Sequence, residues 1–247
     1  MILIALVLLL AQQAPAADED WEYAAAEGAS SIATIGFADG LALNVTCYAP
    51  DILVVNFAGI PVQQGERLTA TAQRADGRAL DMPLRAGRDG VLGASSVERA
   101  ARFLRGGGEL SMRVERADGP PLRIKVDLPR RHDNLDRVIE HCGRRLSEPR
   151  DALPELVDLR SMPNVVLDLP RRPRRPQGLW SQARISCLVT SDARLAACQT
   201  EHEHPAGRGF GDIASRSYNG ARVDVLDPAA AAGRVLIIDV NGPAHRP

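Results

Sequence analysis

The tetrapeptide Arg74-Ala75-Asp76-Gly77 recurs as Arg116-Ala117-Asp118-Gly119, each time between segments in which apolar and polar residues alternate. Leu68-Thr69-Ala70-Thr71-Ala72 and Leu80-Asp81-Met82 flank the first copy. Leu110-Ser111-Met112-Arg113-Val114 and Leu122-Arg123-Ile124-Lys125-Val126 flank the second. Alternation turns one face of a strand inward, and Asp-Gly accepts the positive φ angles of a tight hairpin. The chain must therefore build antiparallel sheet here. The recurrence admits an internal repeat, and reuse of a favourable turn is the simpler reading. Residues 41–47 and 52–57 also alternate, and Tyr48-Ala49-Pro50-Asp51 between them has turn chemistry.

Two helices are expected among these strands. Ser95-Ser96-Val97-Glu98 has the spacing of a capping box, and Gly106 follows Arg105 as a stop. A second helix runs from about Asn134 to Cys142 and stops at Gly143. Leu135, Val138, Ile139 and Cys142 then form one buried stripe, which carries Cys142 toward the sheet where Cys47 ends a core strand.

The N-terminus reads as an export signal. Residues 2–11 are an unbroken apolar run, followed by the small-x-small site Ala14-Pro15-Ala16 and by acidic Asp18-Glu19-Asp20. Ten helical residues rise about 15 Å against a hydrocarbon core of about 30 Å, so no stable membrane anchor is expected. No basic residue precedes the run. The expectation is a signal peptide over 1–16 and a mature chain in the periplasm of a Gram-negative bacterium. An even cysteine count in an exported chain reads as disulfides. Cys47, Cys142, Cys187 and Cys198 allow three connectivities, and the favoured pairs are Cys47–Cys142 and Cys187–Cys198. If Asp192-Ala193 is a two-residue hairpin loop, Cys187 and Cys198 lie directly opposite. No CxxC spacing points to zinc or to a thioredoxin-like site.

The formal net charge of −1 implies no nucleic-acid partner. Residues 147–177 carry Pro149, Pro154, Pro163, Pro170, Pro173 and Pro176, and include Arg171-Arg172-Pro173-Arg174-Arg175-Pro176. This is the pattern of an extended, charged linker, with adhesion to anionic lipid or cell-wall polymer as the functional alternative.

Beyond it the order is strand (184–190), turn, strand (195–201), helix (about 212–219) and strand (234–240). Ser186, Cys187, Val189, Asp192, Arg194, Leu195, Cys198, Glu203, Pro205, Gly207, Gly209, Phe210 and Gly211 carry a resemblance to the C-terminal domain of cysteine-bearing TonB-type energy transducers. Ala193 stands where that pattern has a turn glycine, and Arg216 and Asn219-Gly220 stand where a longer apolar stripe is usual. The resemblance implies a β-β-α-β domain that grips an extended segment of an outer-membrane receptor by strand addition. Val235, Leu236, Ile237, Ile238 and Val240 would form the peptide-binding edge. Without a retained anchor, the implied role is binding without energy coupling. The N-terminal region, through Trp21, its strand order and its closing helix, resembles periplasmic domains of the invasion-associated locus B family; no site residue is carried over from it.

Two clusters invite chemistry. His202 and His204 of Glu201-His202-Glu203-His204 share a face if the segment is a strand, but a third metal ligand must come from elsewhere, and a solvated strand end is the plainer reading. His141 and Cys142 point about 100° apart on a helix and cannot act as a pair. No nucleophile elbow, HExxH or phosphate loop occurs. The expectation is thus an α+β chain: a β-rich domain with two short helices (17–146), a linker (147–177) and a TonB-like module (178–247). It is a non-enzymatic interaction protein without metal or cofactor. The alternative is an envelope enzyme or accessory subunit with its site in the N-terminal domain.

Overall fold

A computed structural model describes residues 19–26, 30–48, 51–116, 119–157, 159–161, 163, 165 and 181–242. The expected signal peptide, the Arg-Pro run at 171–176 and the turn residues Ala49-Pro50 and Ala117-Asp118 all lie outside the described residues.

The alternating segments become β1 (Glu22–Ala26), β2 (Ser30–Gly36), β3 (Ala42–Tyr48), β4 (Ile52–Ala58), β5 (Arg67–Arg74), β6 (Ala79–Ala86), β7 (Leu92–Ala94), β8 (Gly108–Glu115) and β9 (Leu122–Leu128). They form one antiparallel sheet in the order β1-β2-β3-β4-β7-β6-β5-β8-β9. Short β7 joins two meanders by pairing Gly93 with Asn56 on one side and Arg85 on the other. Period-2 burial is regular: Leu43, Val45 and Cys47 on β3, Leu53, Val55 and Phe57 on β4, and Leu80, Met82 and Leu84 on β6 all face one core. Each such side chain contributes about 1.5–3 kcal/mol by leaving water.

The first Arg-Ala-Asp-Gly is a three-residue loop. Arg74 N–H donates to Arg78 O, Gly77 N–H donates to Arg74 O, and Gly77 sits at φ +84°. β5 and β6 pair up to Gln73↔Ala79, and β8 and β9 pair up to Val114↔Leu122.

Helix α1 (Val97–Leu104) packs on β4 and β6, and α2 (Asp133–His141) packs on β1, β2 and β3. The capping box does not form. Ser96 is the N-cap without a side-chain cap bond; its hydroxyl donates to Glu155, and the Glu98 carboxylate turns to Arg144 and Arg184. Gly106 is also not a left-handed stop. It is needed for space, because a Cβ there would lie 1.6 Å from Cζ of Arg74. Leu135, Val138 and Ile139 of α2 are buried as the stripe requires, and Cys142 follows as its C-cap. Cys142 is bonded to Cys47, with Cα atoms 5.5 Å apart.

The C-terminal half comprises β10 (Leu159–Ser161), β11 (Gln182–Val189), β12 (Leu195–His204), α3 (Phe210–Tyr218), β13 (Asp224–Val225), α4 (Pro228–Ala231) and β14 (Val235–Asn241). Strands β12-β11-β14 form an antiparallel sheet, β10 pairs with β13, and α3 covers β11 and β12. A second core gathers Ile185, Cys187, Val189, Leu195, Phe210, Leu236 and Ile238. The chain as a whole is mostly strand with short helices.

The β11–β12 loop is one residue longer than the two-residue reading. Thr190 N–H donates to Arg194 O, leaving Ser191-Asp192-Ala193 as the loop, with Ala193 at φ +56°. The ladder then starts one place out of register, and a bulge at Ala197 (φ +47°) restores it before Gln199 meets Ser186. Cys198 is thereby brought to Cys187, bonded to it with Cα atoms 4.1 Å apart.

Candidate functional site

Strand β11 is the middle of its sheet, so β12 and β14 are the edges at which a partner could add. The two edges differ. On β12, Leu195 exchanges main-chain bonds with Ala221 and Gly220, and the carbonyls of Ala197 and Thr200 accept from Arg150 and Arg145. On β14 the main-chain groups alternate. Arg234 and Gly242 bond toward β11, which sets Leu236, Ile238 and Val240 inward and Val235, Ile237, Asp239 and Asn241 outward. Val235 is already used: its N–H donates to Pro154 O (2.9 Å) and its carbonyl accepts from Leu156 N–H (2.8 Å). Among the described residues, the outward groups of Ile237, Asp239 and Asn241 have no main-chain partner.

Of the five residues expected at this edge, Ile237 alone turns outward main chain that is unpaired among the described residues. Leu236, Ile238 and Val240 spend theirs on β11 and their side chains on the core, and Val235 is paired to the 154–156 segment. Asp239 and Asn241 were missed. Their polarity masked them, although the two-residue period starting from Ile237 points to both.

Behind the edge, the face of this sheet opposite α3 meets the N-terminal half through charge. Arg184 of β11 spans the joint, donating to Asp239 (2.7 and 3.0 Å) and to Glu98 of α1 (2.6 Å). Arg144 holds the other Glu98 oxygen at 3.1 Å. Burial alone would raise the Glu98 carboxyl, but Arg184 and Arg144 outweigh it and hold the group at about 2. Further along, Arg102 grips Asp151 with two bonds (2.6 and 2.8 Å), Arg150 donates to the Ser186 carbonyl, and the Ser186 hydroxyl donates to Glu201.

Residues 147–157 belong to this joint although the sequence reads them as linker. Pro149–Ala152 is a turn of 3-10 helix, Glu155 lies buried beside Arg99, and Leu156 enters the second core. His202 and His204 do share a face, but they are not a solvated strand end. Both approach Asp51 of the N-terminal half, at 3.6 and 2.9 Å. Burial, then the Arg144 charge, pushes His202 down to about 4, so it is neutral at neutral pH.

The Glu203-x-Pro-x-Gly-x-Gly-Phe-Gly segment has a local job. The Glu203 carboxylate accepts from the main-chain N–H groups of Arg208, Gly209 and Gly211 and anchors the start of α3. Gly209 is left-handed at the N-cap (φ +73°), and Gly211 leaves room for Thr200, whose Cγ2 would lie 2.3 Å from an added Cβ.

A cavity of about 400 Å³ opens between the β5–β6 hairpin, α1 and residues 151–155, with Arg74, Arg78, Arg99 and Asp81 in its walls. Among the described residues, no helix is long and apolar enough to cross a membrane, and no group of three or more His, Cys, Asp or Glu side chains is placed to hold a metal ion. No family model, curated protein or solved structure matches this chain.

Proposed function

We propose that this chain is a periplasmic, non-enzymatic interaction protein whose C-terminal sheet takes up an extended segment of a partner along β14. The observation that carries the reading is the outward main chain at Ile237, Asp239 and Asn241, which has no main-chain partner among the described residues. Main-chain bonds along such an edge supply affinity, and neighbouring side chains supply selectivity. The resemblance to TonB-type C-terminal domains suggests an outer-membrane receptor segment as the occupant. Two disulfides suit an oxidising compartment. The charged joint argues for binding by the whole chain rather than by a detached tail.

A photo-crosslinker at Asn241 of the full chain, exposed to envelope extract, tests this. Capture of an outer-membrane protein should be lost in Ile237→Pro, which removes an outward donor while leaving the β11 ladder intact. Equal capture by both chains, or none by either, sinks the proposal.

The second reading, an envelope enzyme or accessory subunit, has one observation in its favour. The large cavity contains Glu155, a carboxyl that burial pushes up against the opposing pull of Ser96 and Arg99.

A further inference from the structure

The cavity wall contains a guanidinium whose hydrogen-bonding needs the fold does not meet. Arg99 is 4% exposed, and its Nη2 donates to Leu153 O at 2.5 Å. Among the described residues its Nε and Nη1 have no hydrogen-bond partner; Nε faces Oε2 of Glu155, itself without a hydrogen bond, at 3.8 Å, which leaves Nη1 as the donor with nothing opposite it. Unmet donors of a buried charge are costly, and native folds leave few of them. Arg74 repeats the pattern: Nη1 donates to Phe103 O, Nη2 pairs with Asp76, and Nε is unpartnered. Arg102, by contrast, is satisfied by Asp151 and stands by Glu201, so it builds the wall. At the mouth, the Arg78 side chain is 74% exposed and reaches only to 3.9 Å from Asp76.

We propose that this cavity is a binding site for a small organic carboxylate, held between Arg99 at the buried wall and Arg78 at the mouth. The volume lies within the range of small-molecule pockets. A guanidinium presents its donors as a planar fork that matches a carboxylate. Asp81 and Glu155 also line the cavity and oppose an anion. Glu155 opposes it least when protonated, and burial pushes its carboxyl up. The cavity touches β14 only through the 154–155 segment paired to Val235 and does not include Ile237, Asp239 or Asn241, so it stands whether or not that edge binds a peptide.

Isothermal titration of the full chain with succinate, at ionic strength matched with sodium chloride, tests the assignment. Saturable one-to-one binding is expected, weakened at least fivefold by Arg78→Ala and at least tenfold by Arg99→Lys. Arg78 is exposed, so its removal leaves the fold standing if Arg99→Lys does not. Three results overturn the proposal: no saturable heat with succinate, binding that Arg78→Ala leaves unchanged, or preference for inorganic phosphate over succinate.

Discussion

Nη1 of Arg184, on the middle strand of the C-terminal sheet, lies 2.6 Å from Oε2 of Glu98, in the first turn of the N-terminal helix α1. The contact joins residues 86 positions apart and is shielded from solvent, with the Glu98 side chain 4% exposed. Breaking one member of a buried pair strands the other charge. Glu98→Ala should cost about 3–5 kcal/mol in denaturant unfolding, because Arg144 and Arg184 both lose their shared carboxylate. A cost below about 1 kcal/mol would show that water enters the joint and replaces Glu98.

Acid should loosen the joint in two stages. His202 is held at about 4, below its unfolded value near 6.5, so the unfolded chain binds the extra proton first. Its contribution is complete above pH 6.5 and falls as pH drops toward 4. Glu98, depressed to about 2, adds stability above its unfolded pKa and loses it as pH falls below about 4.5. Melting temperature against pH should slope between 6.5 and 4 in the wild type and run flatter there in His202→Asn. Parallel curves for the two chains would rule out this role for His202.

Gly106→Ala should destabilise by about 1–3 kcal/mol through overpacking against Arg74. Gly106 does not occupy the left-handed region, so its backbone accepts alanine and the cost is steric. The double variant with Arg74→Ala should recover part of the loss in a thermal-melt cycle. If the two losses simply add, the contact does not set the requirement for glycine.

Glu203→Ala leaves three main-chain donors at the start of α3 without their acceptor. A loss of about 1–2 kcal/mol is expected, of the size seen for N-cap removal. Amide exchange should rise first over 208–213. Unchanged protection there contradicts the assignment of Glu203 as the anchor.

The two disulfides should differ in worth. Loop-closure entropy gives about 5 kcal/mol for the 95-residue separation of Cys47 and Cys142, and about 3 kcal/mol for the 11-residue separation of Cys187 and Cys198. Removing each pair by alanine substitution and comparing unfolding midpoints measures the order. A larger loss from Cys187→Ala/Cys198→Ala would reverse it.

What was legible in the sequence is what repeats locally. Two-residue alternation marks the hairpins, the helical stripe of Leu135, Val138 and Ile139 marks α2, and helix and strand faces together suggest Cys47 with Cys142. What was hidden is charge spent at long range. Ser95 and Glu98 have the local capping spacing, yet the N-cap is Ser96, and the Ser96 hydroxyl and the Glu98 carboxylate are drawn off by partners 59 and 86 residues away. His202 and His204 look like a solvated end because Asp51, which they approach, is about 150 positions earlier. At the edge itself, polar Asp239 and Asn241 read as the end of a hydrophobic strand, although main-chain direction, not side-chain hydropathy, decides which residues can accept an added strand.

The joint between the halves is made chiefly of arginine, carboxylate and histidine, with each half keeping its own apolar core. Two bodies that meet through hydrocarbon become adhesive when they part. Parting these two would uncover Glu98, Arg144 and Arg184, charges that are held as pairs in the closed joint. Reclosure then depends on re-forming a particular set of ion pairs and hydrogen bonds, which tolerate misalignment poorly.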